Sequence, residues 1–272
     1  MRRGWRVSGT SRSEEGTARL AAAGFGACPF DGDQPSATAR AALTSATHLL
    51  VSTPPGAEGD PVLRHHRPDV LGVESLEWIG YLSTTGVYGD RAGAWVDEST
   101  SPRPGTSRSR RRLDAEEGWR TVAEEAGVCL QIFRLSGIYG PGRSVLDRLR
   151  EGTARRIVAP DLVFNRIHVD DIAGAVSAGA AHPEVDGVIN VSDDEPAPPS
   201  EVVAHAAGLL GMEPPAEVSL ADADLSPAAR SFYEENKRVR SVRLQPTLGY
   251  RLRHPTYREG LEAILVEVAG TA

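Results

Sequence analysis

An α/β fold with a parallel sheet and crossover helices is what this sequence predicts. Three observations carry it. Strand-like and helix-like segments alternate along most of the chain, and no tight hairpin signal joins successive strands. The runs at 47–52 and 128–135 carry consecutive apolar residues and read as buried strands. A length of 272 residues suits one or two compact units with a full core.

The elements follow in order. Residues 5–9 are the first strand candidate, which ends in Gly9-Thr10-Ser11-Arg12-Ser13. Residues 14–23 have helical composition; Leu20 and the alanines give an apolar face and Gly24 suits the C-terminal cap. A strand at 25–30 stops at Asp31-Gly32-Asp33, a helix is expected at 35–43, and the strand at 47–52 is halted by Pro54-Pro55. A helix around 61–67 is limited by Pro68. Residues 78–83 form a strand followed by Thr84-Thr85-Gly86-Val87-Tyr88-Gly89, then come a helix at 110–127 and the strand at 128–135.

The later chain is less regular. Helices are expected at 146–151 and 170–181, and a strand at 187–191. An acidic, proline-rich loop at 193–199 precedes a helix at 200–211, where the Ser200 hydroxyl can cap and Glu201 complements the positive end of the dipole. A polar helix at 227–237 and a terminal helix at 257–268 finish the chain, with no internal repeat or long low-complexity linker.

Composition excludes several classes. With 40% hydrophobic and 25% charged residues the chain is an ordinary soluble globular sequence. Its formal charge of −7 argues against nucleic acid or an anionic membrane as partner. Cys28 and Cys129 lie far apart in apolar, strand-like settings and read as buried free thiols, as in a reducing cytoplasm. No apolar run approaches the roughly 20 residues a bilayer span needs. The basic Met1-Arg2-Arg3 leads into no signal-type hydrophobic region. A cytoplasmic location is expected.

Several segments carry a family resemblance. Tyr81-Leu82-Ser83-Thr84-Thr85-Gly86-Val87-Tyr88-Gly89 resembles the strand and Val-Tyr-Gly turn of the extended short-chain dehydrogenases/reductases, the NAD-dependent epimerase/dehydratase family. Arg134 to Gly142 resembles its strand ending in Tyr-Gly-Pro-Gly. Arg166-Ile167-His168-Val169-Asp170-Asp171 resembles its Arg-x-x-His-Val-Asp-Asp segment, and Gly187 to Val191 a later Asn-Val strand. These four segments stand in the family's order across about 110 residues. Glu98 and Pro102 to Pro104 resemble its acidic and proline turn, and the ending from Asn236 onward is similar to that of the atypical, YeeZ-like group. The resemblance implies a Rossmann-like, doubly wound parallel sheet over residues 1–135 and 166–192. A smaller substrate-binding region would comprise residues 136–165 and 193–272.

In that frame residues 5–9 take the place of the second strand, and the first strand with its Gly-x-Gly-x-x-Gly turn has no counterpart. Gly24-Phe25-Gly26 follows a helix, the wrong context for a phosphate cradle. The absent strand would be central. If about four of its apolar side chains were lost, at roughly 1.5–3 kcal/mol each, the deficit would rival a net stability of about 5–15 kcal/mol. The expectation is a natural polypeptide that begins before Met1, and weakened cofactor binding in the chain as it stands.

Site residues follow from the residues and the resemblance together. Thr10, Ser11 and Arg12 fall where an adenine ribose would lie, and a guanidinium there suits the 2′-phosphate of NADP rather than the 2′-hydroxyl of NAD. A surface arginine on an ordinary turn is the plain alternative. The expected cleft is bounded by Ser52-Thr53-Pro54, Ser83-Thr84-Thr85 and Leu135-Ser136-Gly137. Thr84 takes the hydroxyl position that would bind the substrate oxygen; capping a strand end is its other reading. Counting back from Ala115-Glu116 puts the family's Tyr-x-x-x-Lys pair at Arg108 and Arg112. Arg112 keeps the cation, but Arg108 carries no phenol and its guanidinium stays protonated. Tyr88, Tyr139 and His168 read as structural groups, as do Asp97, Glu98, Asp170 and Asp171, and no metal-ligand spacing accompanies them. Phe232 to Arg238 would line the cleft or form a surface helix with a core-facing aromatic pair. The resemblance implies an NAD(P)-linked oxidoreductase or epimerase acting on a nucleotide sugar or related hydroxy/keto compound. A catalytically silent nucleotide-binding or regulatory protein is the rival reading, and a homodimer is compatible with both.

Overall fold

The computed structural model of the chain describes residues 4–271, so Met1-Arg2-Arg3 lies outside it. Strand β1 (Ser8–Ser11) leads to helix α1 (Glu14–Ala22), capped by the Ser13 hydroxyl, which accepts from the Gly16 N–H. The strand begins later than the expected residue 5, because its ladder opens at Val7, whose carbonyl accepts from Gly26 N–H. Gly24 closes α1 at φ 83°, a conformation that favours glycine, and β2 (Gly26–Pro29) pairs parallel to β1.

Helix α2 (Ala37–Leu43) is capped by Ser36 and followed by β3 (His48–Val51). Helix α3 (Pro61–Leu71) starts on Asp60, whose carboxylate accepts from Val62 and Leu63 N–H, with Pro61 at the first position. It runs through Pro68, which the sequence reading took as its limit. The bond to the Arg64 carbonyl is lost, but Gly72 N–H closes onto the Pro68 carbonyl and His66 and Val70 are buried on either side of it. Then come β4 (Trp78–Thr84), a 3₁₀ turn at Thr85–Tyr88, β5 (Trp95–Val96), α4 (Ser107–Ala126) and β6 (Cys129–Leu135).

Helix α5 (Val145–Arg150) lies one residue from its expected bounds, and around it stand three short strands that local pattern did not mark: β7 (Gly137–Tyr139), β8 (Arg156–Val158) and β9 (Arg166–His168). Helix α6 (Val169–Ala180) precedes β10 (Gly187–Val191), which keeps its predicted bounds. Helix α7 (Pro199–Leu209) starts one residue before Ser200, which is therefore not its cap. The fixed φ of Pro199 suits the first helical position, and the chain makes no side-chain cap bond there. After β11 (Glu217–Ser219), the helix expected over 227–237 is one turn, α8 (Pro227–Arg230), with a 3₁₀ turn at Ser231–Tyr233. Asn236 ends it, since its N–H and amide group are bound by Asp90 and the Asp161 carbonyl. Strand β12 (Arg238–Val239), α9 (Leu244–Leu248) and α10 (Tyr257–Thr271) complete the chain.

The main sheet has the order β10-β6-β4-β3, and β1-β2, β5-β12, β7-β9 and β8-β11 are two-stranded. The registers of β1-β2, β3-β4, β5-β12, β7-β9 and β8-β11 are all parallel. The α/β class with a parallel, Rossmann-like sheet is therefore present. Strand β1 shares no ladder with β3; at that break Trp5 meets the His48 ring edge-on at 4.6 Å. Leu50 of β3 is 44% exposed, so this strand is not buried on both faces as its composition suggested.

The chain divides into two compact units, each with its own core. The first comprises the chain up to Leu82 with Arg111–Ile132 and Pro183–Gly187. Trp119 lies buried there, its indole N–H donating to Asp60. Both thiols are free, Cys28 buried and Cys129 half-buried. The second comprises Ser83–Arg110, Phe133–His182 and Val188–Ala272. Its core packs Leu146, Leu149, Val202, Ala206, Tyr257 and Leu261 together.

One carboxylate ties the second unit's loops together. Glu98 accepts from the N–H groups of Asn190 (3.0 Å), Val242 (3.1 Å) and Arg243 (3.3 Å) and from the Ser241 hydroxyl. Hydrogen bonds to a charged acceptor contribute about 1.5–3 kcal/mol, and half-buried N–H groups left bare add a penalty. Glu98→Ala is therefore expected to destabilise the protein by about 3 kcal/mol in urea unfolding, with Glu98→Gln intermediate. A change below about 0.5 kcal/mol, the range of ordinary surface substitutions, would contradict this account.

Candidate functional site

Most of the residues singled out by sequence lie at or just beyond the carboxyl ends of β1, β3, β4 and β6, the strand ends at which α/β sheets bind ligands. In the first unit, Thr10 and Ser11 end β1, and with Gly16, Arg19 and Leu20 they line an open depression of about 300 Å³. The Ser11 hydroxyl accepts from Ser13 N–H, and a Cβ on Gly16 would come within 2.0 Å of that hydroxyl oxygen, so glycine is needed for the turn to close. Arg12 is exposed beside it. Ser52, exposed, and Thr53, half-buried, follow β3.

The chemistry of this turn suits the adenosine end of a dinucleotide: two hydroxyls and an exposed guanidinium edge a shallow depression. It does not fit a pyrophosphate. None of the turns β1–α1, β2–α2 and β3–α3 contains Gly-x-Gly, and Glu14 and Glu15 occupy the first turn of α1, where their charge opposes a phosphate's.

Arg112 in α4 is anchored. Its Nη1 donates to the Tyr81 hydroxyl (3.1 Å) and the Leu82 carbonyl (2.9 Å), and its guanidinium lies 5.6 Å from the Tyr81 ring centre. Tyr81 is fully buried and stacks on Trp119. Burial pushes its phenol up to about 12 although the Arg112 charge opposes this. A phenol and a cation thus meet here in hydrogen-bond contact, but inside the core.

In the second unit Ser83 is buried and Thr84 half-buried at the end of β4. The Thr84 Oγ1 accepts from Gly86 N–H at 3.1 Å and caps the 3₁₀ turn. That bond uses a lone pair and leaves the hydroxyl proton free to donate. Leu135, buried at the end of β6, offers its carbonyl to the Thr85 hydroxyl. Arg108 stacks on Phe232, which is 54% exposed, while Tyr233 packs against Phe164. The aromatic pair at 232–233 is therefore split rather than core-facing.

The other phenols are structural. Tyr88 donates to the Asn190 side chain beneath the Arg134 guanidinium, and burial raises its pKa. Tyr139 is buried and burial also holds its phenol neutral. The sequence reading passed over Asp193. This residue is 1% exposed, both its carboxylate oxygens lack a hydrogen-bond partner, and burial raises its pKa to about 8. The nearby Arg166 opposes that rise, but its Nη1 donates to the carbonyls of Phe164 and Ala197. Nothing in the local sequence marks this carboxyl, because its isolation depends on how residues 164–197 pack.

No family model matches the chain. A functionally unknown conserved protein from Silicibacter pomeroyi superimposes with a TM-score of 0.89 at 46% identity, covering 98% of this chain and 92% of the other. A Streptomyces 3-diazoavenalumate denitrifying reductase is 31% identical over 204 residues, which are 70% of this chain and 63% of the reductase. The chain thus spans less than two thirds of that relative's length. Protein YeeZ of Escherichia coli K12 is 28% identical over 239 residues, 78% of each chain. More distant structures share the fold: an NAD-dependent epimerase/dehydratase-type protein of Methylobacillus flagellatus at TM-score 0.70 and 24% identity (97% and 98% covered), and MoeE5 in complex with UDP-glucose and NAD at 0.71 and 19% (98% and 99% covered).

Asp193 generates a pH prediction. Its carboxyl keeps its proton to about pH 8 in the fold and loses it near its ordinary value of 3.8 when unfolded. The folded state binds the extra proton between those values, so stability falls as pH rises from about 4 to about 8. Asp193→Asn should remove that slope and exceed the native protein's stability at pH 9 by at least about 1–3 kcal/mol, the cost of an unsatisfied buried group. Melting curves at pH 5 and pH 9 check it; parallel curves for the two proteins would refute it.

Proposed function

We propose that this chain is a nicotinamide-linked oxidoreductase of the NAD-dependent epimerase/dehydratase family, in its atypical, YeeZ-like group. The observation that carries the reading is Thr84: a half-buried hydroxyl at the end of a parallel strand, its lone pair engaged and its proton free. Such a donor can polarise the oxygen of a keto or hydroxy substrate. The nicotinamide, when bound, supplies or accepts the hydride. Arg12 favours the 2′-phosphate of NADP, since a planar guanidinium pairs with phosphate oxygens. A nucleotide sugar is the substrate class we favour, supported by the fold shared with MoeE5, whose complex holds UDP-glucose and NAD.

Proton transfer is the step this chain handles poorly. Tyr81, Tyr88 and Tyr139 are buried phenols held neutral, and Arg108 replaces the tyrosine of the family's pair. General acid–base catalysis contributes about 10²–10⁴-fold, so turnover should be slow and rely on solvent for its proton. The same observation favours a second reading, a protein that binds the cofactor without turnover.

Two measurements separate these readings. In a fluorescence titration, Arg12→Ala should weaken NADPH binding by roughly tenfold, the worth of one charge-assisted phosphate contact, and leave NADH binding unchanged. In a sugar-nucleotide panel with NADPH, Thr84→Ala should lower turnover by about tenfold or more, the usual scale for a lost transition-state donor. Cofactor binding with no turnover on any member would favour the silent protein. No response to either dinucleotide would overturn both.

A further inference from the structure

A second cluster of chemistry-bearing side chains lies at the start of α6. His168 closes β9 and caps α6, its buried Nδ1 accepting from Asp170 N–H at 3.2 Å. Its ring packs edge-on against Tyr139 at 5.2 Å and lies 4.3 Å from the ring of His254. The Asp170 Oδ2 is 3.9 Å from His168 Nδ1 and 3.9 Å from His254 Nε2. All three atoms fall within 4.8 Å of one another.

The neighbouring carboxylate explains why His254 stands there. Asp171 is fully buried; its Oδ1 accepts from the Tyr250 hydroxyl (2.8 Å) and Arg253 N–H (2.6 Å), and its Oδ2 from His254 N–H (3.1 Å). Gly174, one turn further along α6, leaves room for Tyr250, because a Cβ there would come 2.0 Å from the tyrosine oxygen. The backbone of the 250–254 loop is thus fixed on α6. Successive aspartates divide the work: Asp171 points inward and holds the loop, while Asp170, 52% exposed, points between the two imidazoles.

We propose that His168, Asp170 and His254 form a binding site for a late first-row divalent cation such as Zn²⁺. Zinc binds imidazole nitrogen and carboxylate oxygen at about 2.0–2.2 Å, which sets ligand atoms about 3.4 Å apart in a tetrahedron. The two 3.9 Å edges need to close by about 0.5 Å, which rotation of the exposed Asp170 carboxylate can supply, while the edge between the imidazoles, within 4.8 Å, closes by movement of the His254 ring. Two imidazoles select zinc, cobalt or nickel over magnesium and calcium, which take oxygen ligands. Three protein ligands leave a position for water on the solvent side of Asp170. Affinity is limited by two features: His168 Nδ1 must give up the Asp170 N–H, and its buried Nε2 has no orienting partner. Micromolar binding is the consequence, and the bound ion joins the start of α6 to the 250–254 loop.

The test uses the untagged full chain stripped with EDTA and titrated with Co²⁺ and Zn²⁺. Co²⁺ should give visible d–d absorption saturating at one equivalent, and Zn²⁺ should displace it and raise the melting temperature. His254→Ala and the more conservative Asp170→Asn should each weaken binding by about tenfold or more, the scale on which even outer-shell partners act. Both variants should keep the metal-free melting temperature and circular dichroism of the native chain. His182→Ala, at an exposed histidine elsewhere, should bind as the native chain does. Binding undiminished in Asp170→Asn and His254→Ala, or no saturable binding at millimolar metal, overturns the site.

Discussion

Carboxylates turned inward hold the loops of this protein, and the rest of its architecture depends on them. A parallel sheet leaves long connections at its strand ends, and their backbone N–H groups must find acceptors once they are covered. Asp60 accepts from two backbone N–H groups and the Trp119 indole. Glu98 gathers Asn190, Val242 and Arg243, and Asp171 does the same for Arg253 and His254. Each joins segments distant in sequence, adding to the short ladders such as β5-β12 that do the same. Asp193 shows the counterpart: equally buried but with no partner at full hydrogen-bond geometry, its carboxyl is raised by burial to about 8.

The same economy of polar groups shapes the chemistry. Every phenol near the strand ends is engaged or buried: Tyr81 with Arg112, Tyr88 with Asn190, Tyr139 beneath His168. A guanidinium that donates to Tyr81 and Leu82 serves the core first. Thr84 differs because its bond to Gly86 is made through a lone pair, so capping the turn does not consume the hydroxyl proton.

Much of the fold was legible. The strand at Gly187–Val191 kept its bounds, and α4, β4 and β6 ended within a few residues of expectation, because their apolar periodicity and flanking turns are local signals. Pro68 and Ser200 misled for the same kind of reason. Each carries a strong local preference that packing or a neighbouring proline overrode. The short strands β5, β7, β8, β9, β11 and β12 carry only two or three residues each, too few for a period-2 pattern to register.

Alternation of strands and helices and the order of the four family-like segments were settled by the sequence alone, since each depends on residue type and spacing along the chain. Only the tertiary structure decided that Arg112 lies against Tyr81, that Asp193 is left with no partner at full hydrogen-bond geometry, and that His254 stands beside His168 and Asp170. The physical reason is separation. His254 is brought to Asp170 by Asp171 across 83 residues, and Asp193 is isolated by chain from both sides of it. No local pattern encodes a partner that arrives only when the loops are pinned.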